Sequence, residues 1–193
     1  MKGELTLAGI VDAATEMALT KGFDDFSLRP LAVRLGVSAT ALYYHVKDRT
    51  SLLELVAKRL FEPVGLPDPS LRWTERMRAF LLSQNELLHN VPGLARFLIL
   101  RRDCDAAQLW RARLFAIVTY AGFKGEACDA ALSVFSFYID PTTLVSSVPG
   151  EKPELDITLD HHQPGRTYVD YYRLGLDHLL AAFDHDLRSD GTD

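Results

Sequence analysis

Little in this chain of 193 residues speaks for chemistry. Cysteine is scarce: Cys104 and Cys128 lie far apart, match neither a Cys-x-x-Cys redox motif nor a metal-ligand spacing, and read as reduced structural residues. No apolar run approaches the roughly 18 to 20 residues that a membrane span requires. The opening stretch "MKGELTLAGIVDAATE" carries acids too early for a secretory signal, so a cytoplasmic protein with no membrane partner is expected. There is no phosphate-cradling Gly-rich loop, no His-Glu-x-x-His metal helix and no nucleophile motif with a recognisable partner. Accordingly no enzyme, no cofactor and no metal are expected. Adjacent His161 and His162 stand beside Asp160 without a second ligand cluster, in a stretch rich in Pro, Gly and charge that reads as an exposed loop.

What is present is enough apolar material for a real core: 48% of residues are hydrophobic and 24% charged, with no low-complexity tract to argue for disorder. The net charge of -5 is unevenly spread. Residues 1–60 hold eight Lys or Arg against seven Asp or Glu, whereas residues 61–193 hold thirteen against nineteen. Between Ser27 and Thr50 the basic residues Arg29, Arg34, Lys47 and Arg49 face Asp48 alone, a modest basic patch on an acidic chain.

Periodicity makes the chain all-α. Leu7, Ile10, Val11, Ala14, Met17 and Ala18 recur at three- and four-residue steps and place an apolar face on a helix ending near Gly22. Ser27 is placed to cap a second helix over 28–35, where Pro30 falls in the first turn and costs no internal bond. Gly36 breaks the chain, and Ser38 is placed to cap a third helix with Ala41, Leu42 and Val46 inward and Val37 stapling the turn. So short a connection forces a steep crossing, the geometry of a helix-turn-helix. Ala39, Thr40, Tyr43, Tyr44 and Lys47 then lie on or near the outer face, with His45 at its boundary. Small residues let a helix approach base edges, tyrosine hydroxyls reach phosphates, and lysine displaces counterions. The alternative is that one tyrosine completes the core against the first helix.

The run from Leu5 to Leu60 resembles the DNA-binding domain of the TetR family of transcriptional regulators, through its Gly-Phe pair, its "LAVRLGVS" turn and its "ALYYHVKDRTSLL" ending. Within that family it is most similar to the tetracycline-repressor branch. The resemblance implies a recognition helix over 38–45 and a connecting helix over 50–60. It implies Arg29 at a base edge or a phosphate, the small residues Ala39, Thr40 and Ala41 near bases, and Tyr43, Tyr44, His45 and Lys47 on the flanking backbone. Three units are expected: 1–49 binding DNA, 50–61 connecting, and 62–193 binding an effector and dimerising.

After the Pro-rich "FEPVGLPDPSLRW", helices are expected from Trp73 to the "NVPG" break, over "LARFLIL", over 106–120, over 126 to about 148 with a kink at Pro141, and over 166–187. The resemblance implies an effector pocket, for which Trp73, Phe80, Gln84, Asn85, His89, Trp110, Phe115, Phe135, Ser136 and Tyr138 are the candidates. It also implies a homodimer closed by the last two long helices. Val169, Tyr172, Gly175, Leu176, Leu179, Leu180 and Phe183 are the candidates there, and intramolecular packing is the alternative. The branch uses a histidine metal ligand in its short helix; "LARFLILRR" has none, so a magnesium-bound effector is not expected. The implied function is a regulator, in the first instance a repressor, released from a palindromic double-stranded DNA operator by a small molecule. Two rivals stay open: a small helical enzyme or carrier using the aromatic pocket, and a ligand-blind DNA-binding regulator.

Overall fold

The computed structural model describes residues 5–138 and 168–189, and those residues form nine helices and no strand. They are α1 (Leu7–Lys21), α2 (Leu28–Leu35), α3 (Ala39–Tyr43), α4 (Arg49–Phe61), α5 (Trp73–Asn90), α6 (Leu94–Leu100), α7 (Asp105–Ala121), α8 (Gly125–Phe137) and α9 (Tyr168–Ser189). No helix among them is long and apolar enough to cross a membrane.

Local chemistry sets the N-terminal boundaries. The Thr6 hydroxyl accepts from the Gly9 amide and starts α1. Ser27, by contrast, makes no side-chain cap bond on α2, so the cap expected there is absent. Gly36 has φ 66, a left-handed conformation that glycine adopts without a Cβ penalty, and its amide closes α2 onto the carbonyls of Ala32 and Val33. Ser38 caps α3 through the Ala41 amide at 3.2 Å. Asp48 and Ser51 form a reciprocal capping box at the head of α4. The hydrogen bonds from the Ser51 amide and hydroxyl hold the Asp48 carboxyl below the ordinary carboxylate range.

The third helix is shorter than expected: α3 ends at Tyr43, and Tyr44 to Val46 lie beyond it. Its anchoring is as read, since Leu42 and Val46 are buried, although Ala41 is only half-buried. Farther on, α8 ends at Phe137 and Tyr138 leaves the helical path, so the helix stops before Pro141. Pro141, the His161–His162 pair and the rest of that loop lie outside the described residues.

The apolar core does not divide where the composition does. One cluster runs from Ile10 and Ala14 of α1, through Leu52, Leu53 and Val56 of α4, to Leu94, Ala95 and Ala107. Helix α4 packs on α1 at one side and on α7 at the other, so it is a shared wall. A second cluster joins α5, α7, α8 and α9 around Phe80, Phe135 and Leu176.

Candidate DNA interface and internal cavity

Burial sorts the residues expected to meet DNA. Arg29, Ser38, Ala39, Thr40, His45 and Lys47 are all solvent-exposed, while Ala41 is half-buried. Neither tyrosine turns inward: Tyr43 is 56% and Tyr44 84% exposed. Leu42 supplies the apolar anchoring that a tyrosine would otherwise give, which leaves both rings on the outer surface.

Half of the basic patch has another task. Arg34 pairs with Glu16 of α1. Arg49 turns away from the surface and donates from Nε to the Phe26 carbonyl at 2.7 Å and from Nη2 to the carbonyls of Phe23 and Asp24 at 2.5 and 3.0 Å. Those carbonyls belong to the turn between α1 and α2, which has no helical partners to offer them. Of the four cations counted from the sequence, Arg29 and Lys47 have no such bond among the described residues.

The same turn docks on the rest of the chain. The Phe23 amide donates to the Pro92 carbonyl at 2.7 Å, the Phe23 and Phe97 rings lie 5.1 Å apart, and Arg96 pairs with Asp24 at 2.5 Å. One helical turn later Arg101 Nε donates to Glu54 of α4 at 2.9 Å, and Lys58 of α4 meets Asp105 at the same distance. The bond to Asp105 raises the Lys58 pKa.

Behind α6 lies a cavity of about 450 Å³ enclosed by α5, α6, α7, α8 and the ends of α4 and α9, a size suited to a small organic ligand. Five of the expected residues line it: Gln84, Asn85, Trp110, Ser136 and Tyr138. Five do not. Trp73, Phe80 and Phe135 are spent in the second core cluster, where Trp73 stacks edge-on with Phe123 and its indole N–H donates to Asp184 at 2.9 Å. His89 is half-buried away from the cavity, and Phe115 is 53% exposed on α7. Large aromatic rings gain most from full burial, so they close the core before they line a void.

Burial within the single chain divides the expected dimer stripe. Leu176 and Leu180 are buried within their own chain, and Tyr172 forms cavity wall. The Tyr138 hydroxyl donates to the Tyr172 carbonyl at 2.7 Å, and the Tyr172 hydroxyl returns a bond of 3.3 Å to the Tyr138 carbonyl. Gly175 faces the same Tyr138 hydroxyl, which would lie 2.6 Å from an added Cβ; its missing side chain makes room inside the chain. Phe183 packs on Phe123 and Phe135, and Leu179 is half-buried. Val169 alone of the seven is exposed, and Val134, Phe137 and Leu174 join it as large apolar side chains left in solvent on α8 and α9.

The lining also holds residues that were not among the candidates, two of them charged, Arg102 and Arg111. Charged residues are ordinarily assigned to solvent, and nothing in their local sequence marks these two as cavity lining.

Residues 10–56 match the family model described as bacterial regulatory proteins of the tetR family. An HTH-type transcriptional regulator of Saccharopolyspora erythraea is 31% identical over 146 residues, which cover 75% of this chain and 62% of that relative, so the chain spans under two thirds of its length. Apo ActR from Streptomyces coelicolor superposes with a TM-score of 0.76 at 21% identity, over 97% of this chain and 99% of that one. A further solved neighbour is BioQ with its natural double-stranded DNA operator, with a TM-score of 0.68 at 22% identity over 93% of this chain and 99% of that one. The match to the tetR-family model lies on residues 10–56, the motif-bearing N-terminal helices, and the described helices share the fold of these solved neighbours.

Proposed function

We propose that this chain is a sequence-specific DNA-binding transcriptional regulator, not an enzyme, and that a small molecule in the α5–α8 cavity releases it from its operator. The observation that carries the reading is α6. Seven residues long, it gives Ala95, Leu98 and Ile99 to the cavity wall, while Arg96 and Phe97 hold the turn between α1 and α2. A ligand that shifts α6 therefore acts on the DNA-binding helices through direct contacts, and a differential affinity of a few kcal/mol between the two arrangements suffices for release. The division into a DNA-binding unit at 1–49, a connecting helix and an effector unit from 62 is kept as functional, although the core runs through it.

The protein acts as a two-fold dimer, with the exposed Val134, Phe137, Val169 and Leu174 against their counterparts. Two copies of α3 then meet successive major grooves about 34 to 36 Å apart. Ala39, Thr40 and Arg29 face base edges, and Tyr43, Tyr44, His45 and Lys47 grip phosphates.

A gel shift on DNA upstream of the protein's own coding sequence tests the reading, with candidate small molecules added to the bound complex. A retarded band that a small molecule dissolves supports it; no retardation on any DNA returns the chain to the carrier class, and a band that no compound alters makes it a ligand-blind regulator. Two substitutions refine the assignment of contacts. Arg29→Ala should lose about 1 to 3 kcal/mol on operator and much less on random DNA, measured by competition titration. Equal losses on both would make Arg29 a backbone contact. Lys47→Ala should weaken binding to every sequence and reduce the slope of log K against log salt by about one per subunit.

A further inference from the structure

The cavity's chemistry narrows what it holds, taking as given the reading above that it is the effector site. Its wall is apolar except for a few groups, and the most telling is Gln84. That residue is 4% exposed, and neither its amide oxygen nor its amide nitrogen has a hydrogen-bond partner in the protein. A buried amide left so is costly unless something in the cavity both donates to it and accepts from it.

Charge at the mouth supplies a second, independent observation. Arg102 and Arg111 line the cavity, and no Asp or Glu among the described residues lines it. Among the described residues neither arginine has a carboxylate partner: the Arg102 guanidinium lies 5.4 Å over the Phe137 ring, and Arg111 spends one Nη2 bond of 2.6 Å on the Arg102 carbonyl. In a chain of net charge -5, two cations with no carboxylate partner among the described residues, at the rim of an apolar chamber, make a complement to a ligand anion. Trp110 and the Tyr138–Tyr172 pair, whose rings are 4.8 Å apart, line the same cavity. Flat walls of this kind favour a flat, ring-bearing body.

We propose that the cavity takes an apolar, ring-bearing organic anion, its charged end at Arg102 and Arg111 and a group that both donates and accepts set against the Gln84 amide.

The probe is 6-hydroxy-2-naphthoate, which carries a carboxylate at one end of a fused ring system and a hydroxyl at the other. Its methyl ester is the uncharged control. Both are titrated into the full chain by calorimetry, without DNA, so the result is scored separately from any operator binding. The acid should bind about tenfold more tightly than the ester, the amount one charge-assisted hydrogen bond commonly provides. That preference should shrink as salt is raised, because the mouth is open to solvent. Arg102→Gln combined with Arg111→Gln should bring the acid to the ester's affinity and leave the ester unchanged. Gln84→Leu should weaken both probes equally. An ester that binds as well as the acid, a salt-independent preference in the unaltered protein, a Gln84→Leu variant that binds either probe as tightly as before, or no binding of either probe overturns the proposal.

Discussion

Arg49→Ala is expected to lower the melting temperature by about 4 to 8 °C and to abolish DNA binding at temperatures where the native protein still binds, though Arg49 is no DNA contact. The reason is its position inside the turn between α1 and α2, where one guanidinium satisfies the carbonyls of Phe23, Asp24 and Phe26. Removing it strands acceptors that no helix serves, at a cost of about 2 kcal/mol after allowance for water reaching the exposed Asp24. A loss of that size corresponds to the stated shift in a chain of this length. Lysine should not rescue, because a single ammonium lacks the planar fork that reaches three carbonyls at once. The discriminating measurement is paired: calorimetric melting, and the salt slope of DNA binding well below the melting point. A normal melting temperature with a slope reduced as in Lys47→Ala would instead make Arg49 a phosphate contact.

That residue also shows what the sequence discloses and what it withholds. Sequence-local features were legible. The Gly36 break and the Ser38 cap act within a few residues, so their chemistry stands in consecutive letters, although Ser27, read the same way, makes no cap bond. Arg49 looked like part of a basic patch because its partners are 23 to 26 residues away, and nothing in local spacing points to a carbonyl. The stripe in α9 taught a similar lesson. Tyr172, Leu176 and Leu180 were rightly read as a buried face, but periodicity says that a face is covered and not by what; here the same chain covers it. For the cavity, side-chain type misled in both directions. The bulkiest aromatics, Phe80 and Phe135, went to the core, whereas Arg102 and Arg111 came to the cavity. Cavities form where packing stops, which depends on how five helices meet and not on any one of them.

The second large effect is expected at Gly93, where the turn between α1 and α2 docks at the start of α6. Gly93 has φ 77, and a Cβ built on it would lie 2.5 Å from Asp24 Oδ2 and 2.7 Å from Asp24 Cγ. Gly93→Ala therefore meets two separate obstacles. A left-handed alanine costs about 1 to 2 kcal/mol by itself. The Asp24 carboxylate must also move, and with it go the pairing to Arg96 and the seat of the α1–α2 turn on α6. Together they should destabilise the fold by about 2 to 3 kcal/mol, as expected for a substitution that both strains backbone and forces a packed group aside. The two parts separate in a double-mutant cycle. In an Asp24→Ala background the steric obstacle is gone, so Gly93→Ala should cost only its backbone strain, and a coupling of about 1 kcal/mol should appear between the two positions. Denaturant melts of the four proteins measure it. Additive effects would mean that Asp24 yields freely and that the seat on α6 is loose. A coupling of the expected size would locate in this one contact a mechanical link between cavity wall and DNA-binding helices, and ligand-driven release should then be weaker in Asp24→Ala than in the native chain at equal operator affinity.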